Sequence, residues 1–561
     1  MTSIKLMKKL AIFKPKNLFS LAGILTTVLT ALPVYAAENI NLKYGPFNWS
    51  VSVESLETFA TQGKVKSDLA FFINRLTSQQ KKQLQSFLTT SYPISPVVLH
   101  QLGHSYSGHR VLNFVGNVVQ LPGGRSGYYG IRAAMIQASA DPQGLNVINF
   151  LHKFPTTEVQ IDVAKGLQLI REATDLALKT SLFVKQLGEI NGSNENSQSI
   201  VDVSENRSKS QEMTKAMSSP LDLRQLGQLS TSKQTQTFFD SQRNRKIVVD
   251  LYLPKNTQVQ LPVIVISNGL GANLDRFEQL AHHLASYGFA VIIPDHVGSN
   301  ALRQKEFYQG YYKESFDATE YIDRPLDITY VLNQLEKLNS NQFNNQLNLQ
   351  QVGVFGNSFG GTTALALAGA TIDFKQLEQD CEETKSLINI SIVHQCRALE
   401  LPRKNYNLKD SRVKAIYVLV PFGRSLYGQT GISQIDIPVF WQASDEDLIT
   451  PLLIEQTPTF SWLTTPNKYF SIAEKLPHTR IGLSVLNKIM DRQLSAEQLL
   501  ALTHKYLSAL NLAFFKVYLE QDEEYRSYLQ QPYADILTEK PYDLILLQSI
   551  QMTQNSRALK N

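Results

Sequence analysis

The sequence predicts an α/β architecture, a mostly parallel, doubly wound sheet covered by helices, with a mainly helical domain ahead of it. Three observations predict it. From about residue 221, short apolar runs alternate with amphipathic segments, as strands and helices do in a parallel sheet. One of those runs, at 351–355, leads through a glycine-rich turn directly into small apolar residues at 362–369. Between residues 37 and about 165, by contrast, apolar residues recur three and four apart. At 561 residues the chain is longer than one ordinary domain, and with 43% hydrophobic residues it can bury a large core.

Taken in order, the chain opens with Lys5, Lys8, Lys9, Lys14 and Lys16, an apolar stretch at 18–32, and Val34-Tyr35-Ala36-Ala37. That pattern predicts a signal peptide over residues 1–36, cut after Ala36, with an uncleaved anchor as the alternative. A mature protein that is periplasmic or extracellular follows from it. Helices are expected over 55–60, 65–76, 79–88, 132–140 and 146–154, within a domain at 37–175. His100 and His104 share a helical face but have no third partner, so no metal site is expected there. Ser, Asn, Gln and Lys then dominate INGSNENSQS and SENRSKSQEM, which predicts a polar linker at 176–234.

The sheet domain is expected at 235–520, with strands at 247–253, 263–267, 290–294, 351–355, 414–420, 438–442 and 468–473. Helices are expected at 277–287, 327–338 and 496–519, and a C-terminal extension at 521–561. A polar insertion at 372–411 holds both cysteines and reads as a lid or a surface excursion. Cys381 and Cys396 either pair or stay as two buried thiols. The net charge of +5 is not gathered into basic runs interleaved with aromatics, so no nucleic-acid partner is expected.

The turn Gly356-Asn357-Ser358-Phe359-Gly360 between strand and helix is a nucleophile elbow, which lifts a serine hydroxyl above the sheet edge. Serine needs a base, and the base needs a carboxylate, in the chain order Ser, acid, His. Two histidines follow the candidate acid. His504 lies inside the helical ALTHKYLSAL, whereas His478 lies in the loop after the 468–473 run and is the better base. The turn Ser444-Asp445-Glu446-Asp447 follows a strand; Asp447, four residues before Pro451, is the favoured acid and Asp445 the runner-up. Oxyanion donors are expected from the backbone N–H of Phe359 and from Asn268-Gly269-Leu270-Gly271, with Leu270 as the choice.

These stretches together resemble the α/β-hydrolase superfamily, and within it the dienelactone-hydrolase-like and platelet-activating-factor acetylhydrolase-like serine esterases. The resemblance covers roughly residues 235–520 and rests on VIVISNGLGANLDRFEQLAHHLASYGFAVIIPDH, YIDRPLDITYVLNQL, GNSFGG, IPVFWQASDEDLITP and LPH. It implies Ser358 as nucleophile, Asp447 as acid, His478 as base, Leu270 and Phe359 as oxyanion donors, and no metal or cofactor. The chain departs from the family in carrying Asn268-Gly269 for His-Gly, and Asn357 where His precedes the serine. The region containing YGPFNWSVSVESLETFA and GYYGIRAAMIQASADPQGL is similar to an uncharacterised helical domain found ahead of such hydrolases.

The expected activity is that of an exported serine hydrolase cleaving carboxylic esters, lipid or short-acyl, through an acyl-enzyme. Rings at Tyr308, Tyr311, Tyr312, Phe316 and Tyr321 either receive an apolar substrate or pack the helical domain onto the hydrolase. A lipid substrate brings association with a membrane surface. Lipase and polyester hydrolase are neighbouring activities, and a dienelactone hydrolase proper would use cysteine in place of Ser358. From another class, the alternative is a catalytically silent binding module at the cell envelope.

Overall fold

The computed structural model describes residues 36–192, 201–202, 221–382, 388–479, 483–484, 487, 493–548 and 551–552. The expected signal peptide, Ala36 excepted, lies outside the described residues. The chain divides into two compact units, one running to Leu99 and including Val115–Ala164, the other formed by His100–Phe114 and the chain from Lys165 onward.

The first unit is less helical than its apolar spacing predicts. It contains strands β1 (Asn39–Tyr44), β2 (Phe47–Ser52), β3 (Val119–Leu121), β4 (Arg125–Ser126) and β5 (Glu158–Asp162). They form one sheet in the order β2-β1-β5-β3-β4. β1 and β2 make a hairpin around Gly45, whose φ of 58° suits glycine. Helices Val53–Gln62, Ser67–Ile73 and Ser78–Thr89 follow, and Val51, Phe59, Leu69, Ile73, Leu88 and Ile148 share a core.

In the second unit a helix, Val163–Gly192, runs well into the stretch expected to be linker, because Phe183, Val184 and Leu187 are buried against the main core. Nine strands then form a single sheet: β6 (Thr231–Asp240), β7 (Arg245–Pro254), β8 (Leu261–Ser267), β9 (Ala290–Pro294), β10 (Leu347–Asn357), β11 (Val413–Leu419), β12 (Val439–Ala443), β13 (Lys468–Ala473) and β14 (Leu544–Leu547). Their order is β14-β13-β12-β11-β10-β8-β9-β7-β6. The strands from β13 to β9 are parallel, while β7 and β14 run antiparallel to them and β6, antiparallel to β7, returns to their direction. β14 corrects the expectation of a separate C-terminal extension, since its four apolar residues pair with Phe470–Ala473 and are all buried.

Period-two alternation along the central strands fills two cores. Val263 and Val265 of β8 face the core shared with helices Glu320–Gln342 and Phe359–Leu367. Ile264 and Ile266 face the other, with helices Glu278–Ser286 and Ala496–Leu519. Both faces being covered, the strands bury nearly every residue, and polar chemistry is confined to their ends. Ligands in such sheets bind beyond the carboxyl ends of the strands, where β8, β10, β12 and β13 all deliver loops.

The insertion is neither a detached lid nor a surface excursion. Leu377, Ile392, Val393, Ala398, Leu401 and Leu408 all belong to the main core, and a disulfide joins Cys381 to Cys396.

Candidate active site

β10 ends at Asn357 and the chain turns abruptly. Ser358 has φ 53° and ψ −117° and caps helix Phe359–Leu367. A non-glycine residue with such angles stores about 1–3 kcal/mol, and surrounding contacts must hold it. They do: the Ser358 N–H donates to the Leu419 carbonyl (2.8 Å), and the Thr362 N–H donates to that of Ser358 (3.0 Å). The flanking glycines are dictated by close backbone approach. A Cβ at Gly356 would fall 2.2 Å from the Gly360 carbonyl oxygen, and one at Gly360 would fall 1.8 Å from that of Ser267.

The hydroxyl projected by this turn lies 2.9 Å from Nε2 of His478, and Nδ1 of His478 lies 2.6 Å from Oδ2 of Asp447. The loops after β10, β12 and β13 thus bring together the three predicted side chains. Asp447 accepts further hydrogen bonds from the N–H groups of Ile449 (2.8 Å) and Thr450 (2.9 Å) and from the Thr450 hydroxyl (2.7 Å). Burial alone would push this carboxyl up, but His478 and the Thr450 donors outweigh it and hold Asp447 below its ordinary range. Asp445 sits elsewhere, accepting the Lys475 N–H at 2.7 Å, and burial pushes it up to about 6. It braces the loop that carries His478 and does not bond the imidazole.

An imidazole between a hydroxyl and a buried carboxylate can take the hydroxyl proton and share the resulting charge. Any oxyanion then needs donors beside Ser358. Gly269 lies against it, since a Cβ there would be 3.4 Å from the Ser358 Cβ and 3.1 Å from Asn357 Oδ1. The next residue is Leu270. Among the described residues neither the Leu270 nor the Phe359 backbone N–H has an acceptor.

The Phe359 ring is enclosed by Phe316 (5.1 Å between centroids), Tyr321 (5.1 Å) and Phe422 (5.4 Å). Of the predicted aromatic loop, Phe316 and Tyr321 are therefore core, whereas Tyr311 is 75% exposed. The insertion supplies His394, whose ring packs on Phe316 and Phe422 and whose carbonyl accepts from the Tyr321 hydroxyl (2.8 Å). Burial, with the charges of Arg397 and His478, drives its imidazole down to about 4. Glu455, fully buried, anchors this shelf by accepting from Asn389, Ser391 and Gln395 of the insertion and from the Gly423 N–H.

A second Ser, His and Asp set lies beneath. The Ser267 hydroxyl and His296 Nε2 are 2.9 Å apart, and His296 Nδ1 lies 3.8 Å from Asp327, too far for a hydrogen bond. All three side chains are buried, so this set is closed to substrate. A cavity beside His478 is lined by Asn357, Leu419, Val420, Ala443 and Leu499, but Ser358 is not in its wall. The His100 and His104 rings lie 4.0 Å apart, tilted by 34°, and among the described residues no three His, Cys, Asp or Glu side chains are placed to hold a metal.

Sequence reasoning passed over His394, Glu455 and Arg324, the last a guanidinium on the apolar side of helix Glu320–Gln342. Arg324 did leave a signal, as a charge among residues spaced for burial.

Two family models match the chain. Residues 36–162 match one described as an alpha/beta hydrolase of unknown function (DUF1400), and residues 248–376 match the dienelactone hydrolase family. The first match covers β1 to β5 and none of the nine-stranded sheet. The second runs from β7 through the elbow helix. No curated protein matches. Sheet order, elbow and match agree that the second unit is a hydrolase of the α/β fold, similar to the dienelactone hydrolase family.

Proposed function

We propose that this protein is an exported serine hydrolase that cleaves carboxylic esters through an acyl-enzyme. The observation that carries the reading is the unbroken chain Ser358–His478–Asp447, with contacts of 2.9 and 2.6 Å, on a strained elbow. Ser358 Oγ attacks the ester carbonyl while His478 Nε2 takes its proton. The carbonyl oxygen becomes an oxyanion that accepts from the Leu270 and Phe359 N–H groups. As the intermediate collapses, the C–O bond to the alcohol breaks and His478 returns the proton to the leaving oxygen. Water, deprotonated by His478, then hydrolyses the acyl-serine and restores the hydroxyl. Asp447 holds the imidazole tautomer and stabilises its charged form throughout.

An oxygen nucleophile favours an esterase over a dienelactone hydrolase. Export is supported by the basic and apolar N-terminus and by the disulfide, which persists in oxidising compartments.

The test is fluorophosphonate labelling of the mature protein beside Ser358→Ala, with a chain-length series of p-nitrophenyl esters. Labelling and ester turnover that both vanish in the variant are the expected result. A folded wild type that neither labels nor turns over any ester refutes the proposal and leaves a binding module.

A further inference from the structure

Arg324 is wholly buried, yet no substrate-binding or proton-transfer step above uses it. Its Nη2 donates to the Asn268 carbonyl, and its Nη1 donates to the Ser299 hydroxyl oxygen at 3.2 Å. Its guanidinium carbon stands 4.5 Å over the Phe359 ring. A buried guanidinium is expensive unless its surroundings repay desolvation. Here burial pulls it down to about 10, with Glu320 and Asp327 opposing that pull, so it remains a cation at neutral pH.

What the cation touches is specific. Asn268 opens the loop that carries Leu270, and three residues beyond Asn268 the Gly271 N–H donates to the Ser299 carbonyl at 2.8 Å. Arg324 therefore grips one flank of the loop directly and the other through Ser299, whose hydroxyl in turn donates to Glu320 at 2.7 Å. Between the two tied flanks the Leu270 N–H has no acceptor among the described residues. The same guanidinium clamps the ring of Phe359, the residue that bears the other free N–H.

We infer, resting on the esterase reading, that Arg324 is a positioning residue that holds both oxyanion donors, Leu270 and Phe359, in register on Ser358. It acts through the Asn268 carbonyl and the Phe359 ring and never meets the substrate.

The experiment compares wild type with Arg324→Met, Arg324→Lys and Ser299→Ala. It measures ester kinetics, the affinity of a trifluoromethyl ketone that forms a hemiketal oxyanion on Ser358, and that of the matching secondary alcohol, which forms none. Arg324→Met is expected to lower kcat by about 100-fold, the size of losing one oxyanion donor, with KM within about 3-fold. Ketone affinity falls by the same factor as kcat/KM, alcohol affinity stays, and Arg324→Lys recovers part of the loss. A folded Arg324→Met with unchanged kcat, or with lost kcat but full ketone affinity, overturns the inference. Should Arg324→Met fail to fold, Arg324→Lys and Ser299→Ala carry the test, and wild-type kcat and ketone affinity in both overturn it. An inactive, unlabelled wild type sinks the esterase reading itself, a different result from an active wild type with indifferent variants.

Discussion

A single methyl group at Gly360 tests whether the elbow and the loop facing it act as one rigid body. A Cβ there falls 1.8 Å from the Ser267 carbonyl oxygen, 2.5 Å from its carbon and 2.9 Å from the Asn268 oxygen. An ordinary C···O approach is about 3.3 Å, so something must part by about 1.5 Å. Neither side yields cheaply: Ser267 ends a buried strand in register with Gly356 of β10, and Gly360 sits in the first turn of a buried helix. Overpacking of this kind costs about 1–3 kcal/mol in stability, and a 1 Å misplacement of reacting groups costs about 100-fold in rate. Gly360→Ala should therefore lower Tm and reduce kcat/KM at least about 100-fold while the protein remains folded. The control is Gly188→Ala, in the exposed part of helix Val163–Gly192, where a Cβ meets nothing within 4 Å. It should gain about 0.5–1 kcal/mol and keep wild-type kinetics. Melting curves and p-nitrophenyl ester kinetics read both. A folded Gly360→Ala with wild-type kcat/KM would refute the rigid coupling.

Three further outcomes are expected. Asp447→Asn should lower kcat by about 10⁴-fold by leaving the wrong imidazole tautomer, while Asp445→Asn, which still accepts the Lys475 N–H, stays within about 3-fold; the reverse ranking would reassign the acid. Burial holds Asp445 up to about 6, and burial together with Asp445 and Asp543 holds Glu474 up to about 7. Both keep their protons in the fold and lose them on unfolding near pH 4, so their contribution is whole below about pH 4 and drains as pH rises through 6 to 7. Tm scanned over that range should fall less steeply for Asp445→Asn with Glu474→Gln; an unchanged slope refutes the assignment. Replacing Cys381 and Cys396 by serine removes a cross-link 15 residues apart and should cost about 3 kcal/mol in denaturant unfolding, with an unmoved midpoint as the contrary result.

Much of the site was legible because its chemistry is local. The elbow needs glycine at fixed offsets, and the acid and base follow strands whose β-branched and aromatic runs stand out at 438–442 and 468–473. What escaped the sequence depends on partners far along the chain. β1 was missed because it is half-exposed and pairs with β5, so Asn39 meets Glu158 across more than a hundred residues. β14 is only four residues long and reads as an apolar patch until β13 is beside it. The helix through 192 reads as linker in its second half because the polar run INGSNENSQS begins inside it, and only Phe183, Val184 and Leu187 join it to the main core. Arg324 is the same case at the site, a charge whose meaning lies in a carbonyl at Asn268 and a ring at Phe359.

The sealed set of Ser267, His296 and Asp327 gives this molecule an internal comparison between residue type and reactivity. Its hydroxyl and imidazole are as close together as those of Ser358 and His478, 2.9 Å in each pair. Yet burial and the neighbouring Arg324 drive His296 down to about 3, so it is a poor proton acceptor, and Ser267 sits on an ordinary strand with no room for a carbonyl above it. Covalent probes that survey proteomes for activated serines should therefore label the half-buried Ser358 and pass over Ser267, its near-copy behind a wall.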